Sequence, residues 1–352
     1  MKRTALSLAI AAVGLLALAA PAMAKTRNVW PGHSIQRAVN KARPGDTVLV
    51  HRGTYHQTVL IHKNGIHLMG LHATLLPPKH ASGLCAAASA PQMSGICVLG
   101  AFDSQGNPMA PRAENNTVSG FKVEHFSGEG IFLFNVENTR ITHNNAGYNG
   151  DYGIVGFDQI GGLYRWNVSH DNQAPGFYLG DSQHANYVIE DNVSYRNQMG
   201  IFVRHSGHAL VQHNKVWGNC AGTILLDDGQ PGGEHNITYT ENKAWDNDMA
   251  CPAGDDGPAL SGIGVALVGV THSTISKNVI LKNSPTGPSA ASGGLVLLSS
   301  KLFGGATDIT DVHVFGNTIL GNSPLDVLWD GAGTGNTFKH NDCGTSSPSF
   351  IC

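Results

Sequence analysis

The residues best placed to do chemistry in this chain stand at nearly equal intervals. They are Asn135, Asp158, Asp181, His205 and Asp227, each five positions beyond a glycine: Gly130, Gly153, Gly176, Gly200 and Gly222. Those glycines are 23, 23, 24 and 22 residues apart, and each opens a similar phrase, such as Gly130-Ile131-Phe132-Leu133 and Gly200-Ile201-Phe202-Val203. A self-similar period of this length is the mark of a solenoid, whose coils bury their apolar side only by stacking on one another. Stacked in register about 4.8 Å apart, the five polar side chains form one column. Carboxylates and an imidazole that close together couple their titrations, which is what general acid and base pairs require. Turn chemistry, which favours Asp and Asn, accounts for Asn135 and is an alternative for the aspartates. It does not ask for Arg204 beside His205, or for Asp228 after Asp227.

Strand alternation then sorts the neighbours. With Ile131, Leu133, Ile154, Phe177, Leu179, Ile201, Val203 and Leu225 turned inward, Phe132, Val155, Tyr178, Phe202 and Ile224 face outward. Rings on that face suit either the apolar side of a sugar or a covering loop. Before the repeats, Ser34 followed by Ile35, Ala38, Val39 and Ala42 reads as a short capped amphipathic helix closing the first coil. Residues 77–115, rich in Pro, Ala, Ser and Gly, read as an inserted loop over the first coils. From Asn144 onward, asparagines pair five residues apart (Asn144/Asn149, Asn167/Asn172, Asn192/Asn197 and so on to Asn317/Asn322). Their amides can bond to copies one coil away, and asparagine tolerates left-handed corners. Turn-rich insertions at 229–234, 249–261, 284–292 and 299–308 would leave the solenoid on one face and wall a groove. Residues 343–352 form a tail that could fold over the open end.

Composition bounds the setting. Charged residues are only 13% and glycine reaches 44 residues, as suits turns and short strands. Lys2 and Arg3, an apolar run from Ala5 to Ala20 and Ala22-Met23-Ala24 read as a secretory signal over residues 1–24, leaving 25–352 as one domain. Without it, 20 basic residues stand against 25 acidic ones, which does not suit nucleic acid, and no other run is long enough to span a membrane. Six cysteines in an exported chain favour disulfides. Sequence order suggests Cys85–Cys97, Cys220–Cys251 and Cys343–Cys352, although 15 pairings are possible. The 18 histidines are scattered, with no closed metal set.

The opening, Ser34-Ile35-Gln36-Arg37-Ala38-Val39 through Pro44-Gly45-Asp46-Thr47 to Gly53-Thr54-Tyr55, resembles that of right-handed parallel β-helix proteins of the pectin-lyase-like superfamily, including periplasmic NosD-like members. Tyr152-Gly153-Ile154-Val155-Gly156-Phe157-Asp158 is similar to the Tyr-Gly-Phe-Asp phrase of alginate C5-epimerases, although two residues separate its parts and Gln159-Ile160 follows where that family has Pro-His. The resemblance implies an all-β fold, a single-stranded right-handed parallel β-helix, and a polysaccharide as partner. It makes Asp158 and Tyr152 site candidates. A uronate lyase or epimerase would neutralise a carboxylate, by Ca²⁺ on the aspartates or by Arg204, and remove the adjacent ring proton with His205 or Tyr178. A hydrolase would instead pair Asp158 with Asp181, or Asp181 with Asp227. The site expected is therefore Asp158, Asp181, Arg204, His205 and Asp227, with Tyr152, Phe132, Tyr178, Phe202 and Asp228 holding substrate. A secreted or periplasmic protein that binds carbohydrate without turnover is the competing reading.

Overall fold

The computed structural model describes residues 23–80, 85, 92–254 and 257–352. Residues 1–22 of the expected signal, and part of the 77–115 stretch, lie outside them. Each coil contributes one long strand and two short ones, and the long strands stack into a parallel sheet that carries the column. That sheet runs through Ile131–Glu137, Ile154–Ile160, Phe177–Ser182, Met199–Ser206, Ala221–Leu226, Ile263–Val268 and Gly293–Leu298. The short strands, such as Leu163–Arg165 and Val168–His170, pair in parallel with Val188–Glu190 and Val193–Tyr195 of the next coil and form the remaining faces. Among the described residues no helix is long and apolar enough to cross a membrane.

The core is the inside of the coil. Ile131, Ile154, Phe177 and Ile201 stack in register, as do Leu133, Leu179, Val203 and Leu225, all fully buried. One position departs: Gly156 stands between Leu133 and Leu179. A Cβ there would lie 2.3 Å from the Gln159 amide nitrogen. The buried Gln159 side chain fills that space and accepts a hydrogen bond from the Tyr164 hydroxyl.

Asparagines close two of the corners. Asn144, Asn167, Asn192, Asn214, Asn242, Asn278 and Asn317 form one ladder, each Nδ2 donating to the next Oδ1 at 2.9 to 3.2 Å. Asn149 to Asn322 form a second. The left-handed residue at these corners is not the asparagine but the one before it, including Trp166, Arg196, Glu241 and Lys277. The asparagine instead satisfies two backbone groups of the preceding coil, as Asn192 does by taking the Asn167 N–H and donating to the Tyr164 carbonyl.

The ends are closed as the sequence requires. Ser34 Oγ accepts from Arg37 N at the start of the helix Ile35–Lys41, which buries Ile35 and Val39. At the far end Asp342–Cys343 and Ser346–Ser347 add last strands, and Cys343–Cys352 ties the tail. Cys85–Cys97 and Cys220–Cys251 are also bonded. The stretch 77–115 is not simply an inserted loop. Ile96–Leu99 is a rung of the main sheet, between Val59–Ile61 and Ile131–Glu137. It is buried on both faces, so it reads as an apolar run without alternation and is easily taken for loop.

Replacing Asn192 by Ala leaves the buried Asn167 N–H without its acceptor and removes the amide hydrogen bonds to Asn167, Asn214 and the Tyr164 carbonyl. A loss of about 2–4 kcal/mol is expected, measured as a fall in denaturant midpoint that Asn40→Ala, at an exposed position of the helix, does not produce.

Candidate functional site

The column is a corner of the main sheet. Asn135, Asp158, Asp181 and His205 occupy it with φ of 54°, 48°, 51° and 48°. Trp166, Arg196, Glu241 and Lys277 adopt the same backbone at other corners, so the conformation alone does not select carboxylates. Register places Asp227 opposite His205, but the corner is not repeated there. The chain departs into the 229–234 insertion, and Asp227, 5% exposed, turns its Oδ1 to accept the Gly229 N–H at 2.9 Å. Asp227 is thus taken out of the column, and Asp228 meets His205 instead.

Four side chains form a continuous chain of contacts across three coils. Asp181 Oδ1 lies 2.8 Å from His205 Nδ1, and His205 Nε2 meets Asp228 Oδ1. Arg204 Nη2 donates to Asp228 Oδ2 at 2.7 Å. Tyr178 reaches Arg204 because its neighbour is Gly180, where a Cβ would stand 2.6 Å from the phenol oxygen. His205 is wholly buried by its side chain, whereas Asp181 is 47% and Arg204 30% exposed. The accessible ends of the chain are therefore a carboxylate and a guanidinium. A second pair lies one coil away, where Arg112 donates to the Asp158 carbonyl at 2.7 Å and to its carboxylate at 3.0 Å.

The electrostatics follow from burial and pairing. Burial, and then the Asp181 charge, push the Tyr178 phenol up to about 12. Burial works against the charge of Arg204, but hydrogen bonds to Asp228 and Tyr178 outweigh it and hold the guanidinium above its ordinary value. Burial would raise Asp228, yet Arg204 and then His205 bring its carboxyl below the usual range. Beneath the corner, Glu234 is buried with Oε2 accepting the Ser206 N–H at 2.8 Å. It continues a short ladder in which Ser182 Oγ accepts the Gln159 N–H. Burial, unrelieved by any cation, raises the Glu234 carboxyl well above its ordinary value, and Asp227 adds to the shift.

The expected substrate-binding rings are mostly spent on each other. Phe157 and Phe202 pack on Tyr178 with centroids 5.0 Å away, and Tyr152 lies at 5.2 Å. Phe132 packs with Cys85, Cys97 and Leu99 and stays half-buried. Tyr152 and Phe202 remain half-buried. Sequence reasoning missed Arg112, 46 residues from Asp158 in a stretch read as insertion, and Glu234; no pattern pointed to either. Gly180 was visible as a break in the outward column. Calcium does not fit the carboxylates present, because Asp158, Asp181 and Asp228 are already matched to Arg112, His205 and Arg204. Among the described residues no three His, Cys, Asp or Glu side chains converge as a metal set.

Residues 53–216 and 166–302 match the family described as right-handed β-helix region. Among solved structures, the chain is similar to the A-module of the Azotobacter vinelandii mannuronan C-5 epimerase AlgE4, with a TM-score of 0.63 and 18% identity over 89% of this chain and 91% of that one. It is similar to the A-module of AlgE6 from the same organism, at 0.62 and 19% over 89% and 90%. The Dettilon tailspike protein follows at 0.56 and 15% over 92% and 60%. At such identities the likeness is one of fold. No curated protein matches the chain by sequence.

Glu234 gives a pH test of the corner. A carboxyl raised in the folded state contributes its stability below the unfolded value of 4.5 and loses it as pH rises towards the folded value. Glu234→Gln, which keeps an oxygen for Ser206 N–H, is expected to melt higher than the parent at pH 7 and to match it near pH 4. A lower melting temperature at pH 7 would show that the carboxylate is stabilising.

Proposed function

The chain belongs to the right-handed β-helix family, and on that premise we propose that it is an exported protein acting on uronate-containing polysaccharide, by β-elimination or C5 epimerisation. The observation that carries this reading is the Asp181–His205–Asp228–Arg204 chain, whose exposed ends lie on adjacent coils. Removing the proton next to a sugar carboxylate needs a base on the C–H and a cation on the carboxylate, because charge develops on the carboxylate oxygens as the proton leaves. Asp181 and Arg204 sit about 4.8 Å apart along the axis, a separation that suits a base and an adjacent carboxylate clamp.

In this reading Asp181 takes the C5 proton. His205 is a positioning residue, since its ring is buried and both nitrogens face carboxylates. Arg204 neutralises the uronate carboxylate, and Arg112 stands ready for that of the neighbouring sugar. The Tyr178 phenol, kept protonated by its environment, is the donor. Delivered to the C4 oxygen as the C4–O bond breaks, its proton completes elimination; delivered to C5 from the opposite face, it completes epimerisation. The A-modules of similar fold belong to mannuronan C-5 epimerases, which makes mannuronan the first polymer to try. Hydrolysis through Asp158 and Asp181 is less well supported, since neither carboxylate is free of a partner. Export rests on the expected signal and on three disulfides, which persist in oxidising compartments.

The test is a panel of uronic-acid polymers with two readouts: ultraviolet absorbance of the unsaturated uronate for elimination, and deuterium uptake at C5 from heavy water for epimerisation. Arg204→Ala and Asp181→Ala are each expected to lower kcat by roughly 100-fold or more. Reducing ends without either signal would mean hydrolysis. A wild type that binds these polymers and turns none over would leave a carbohydrate-binding protein.

A further inference from the structure

The outward column that carries Arg204 changes character along the axis. It reads Phe157, Gly180, Arg204, Leu226, Val268 and Leu298 in successive coils. The neighbouring column continues from Phe202 to Ile224, Ala266 and Val296. The charged chain therefore opens, on the side of the later coils, onto hydrocarbon. There the surface is not flat. It holds a half-open cavity of about 280 Å³, lined by Ile224, Leu226, Ala266, Val268 and Leu298, with Asp228 and Gln198 as its polar margin.

Three insertions build the walls: Gly257, Pro258 and Leu260 from the first, Ala290 and Ala291 from the second, and Phe303 from the third. The first wall is tied to the solenoid by Cys220–Cys251. The third is a short 3₁₀ turn, Ser300–Phe303, that carries Leu302 and Phe303 at 64% and 40% exposure. Gly305 brings that insertion against Asp228. Large apolar side chains held out in water beside an apolar cavity have no role in coil stacking. They would cover a group that enters it.

The lining says what that group is. A sugar ring in this cavity would lose the water around its hydroxyls and find side-chain partners only at Asp228 and Gln198, a cost of roughly 1–3 kcal/mol for each hydroxyl left unpaired. Hydrocarbon entering it gains instead. An apolar cavity of about 150 Å³ already accommodates benzene, so the volume here suits an aromatic ring or a short acyl chain. Its polar margin is Asp228, the partner of Arg204.

We propose that this cavity is a subsite for a hydrophobic substituent, an aryl or acyl ester, carried by the saccharide whose carboxylate Arg204 holds. The assignment rests on the preceding reading for the sugar and on the cavity alone for the substituent. The substituent enters between the insertions, and Phe303 covers it. The protein then discriminates esterified from bare polymer along the same groove.

Two experiments separate this subsite from the reading it rests on. The first is calorimetric binding of a methyl uronoside carrying a benzoyl ester, against the same glycoside without it. Wild type should bind the ester at least about tenfold more tightly. Ala266→Phe fills the cavity floor away from the charged chain, and Phe303→Ser strips the exposed cover without touching the core; each should remove that preference. The second is kcat/KM on benzoylated and bare uronate oligosaccharides, where wild type should favour the ester and Ala266→Phe should keep turnover of the bare substrate. Equal binding of the two glycosides by wild type overturns the subsite, as does a preference that survives in both folded variants. Ester-selective binding without turnover of any substrate would keep the subsite and overturn the catalytic reading.

Discussion

Everything in this protein hangs on the parallel hydrogen bonding of one coil to the next. Because each rung sits about 4.8 Å from its neighbours and in fixed register, a choice made at one sequence position is imposed on a column of side chains. Apolar columns turned inward make the core, and asparagine columns at two corners bind the coils through amides as well as backbone. The same constraint brings Asp158, Asp181 and His205 together, although a full coil of chain separates each from the next.

The candidate site arises where that regularity fails. Four successive corners are left-handed, and the fifth is not. At the fifth the chain leaves for an insertion, so Asp227 turns to serve the local turn and Asp228 swings under His205. A regular repeat would have extended the column with one more polar residue. The irregular one instead joins His205 to Arg204 through a shared carboxylate, and leaves a base and a cation exposed at the two ends. The Arg204 guanidinium pairs directly with the Asp228 carboxylate, which limits the cost of holding the two half-buried.

Insertions do for specificity what the coils do for stability. They emerge on the face that bears the column, and they convert an exposed sheet into a walled groove. Their apolar lining begins at the coil where the outward column turns from Arg204 to Leu226. Polar and apolar halves of one groove thus follow from two neighbouring rungs, and the disulfide Cys220–Cys251 holds the wall at the boundary.

The period of the glycines, the alternation of the strands, the capped helix at Ser34 and the paired asparagines were enough to read a solenoid, because each is a local pattern repeated by stacking. The Asp158, Asp181 and His205 column was legible for the same reason, and so was the outward placement of Tyr178. What lay beyond the sequence was every contact that crosses the repeat. Arg112 reaches Asp158 from a stretch without a period, Ile96–Leu99 is a rung hidden in a proline-rich segment, and Glu234 enters the corner from an insertion. Only the tertiary structure could decide between Asp227 and Asp228, because both stand at the end of one strand and the choice depends on which way the chain turns to leave it. Periodicity fixes which residues share a column; the insertions, which have no period, decide what the column meets.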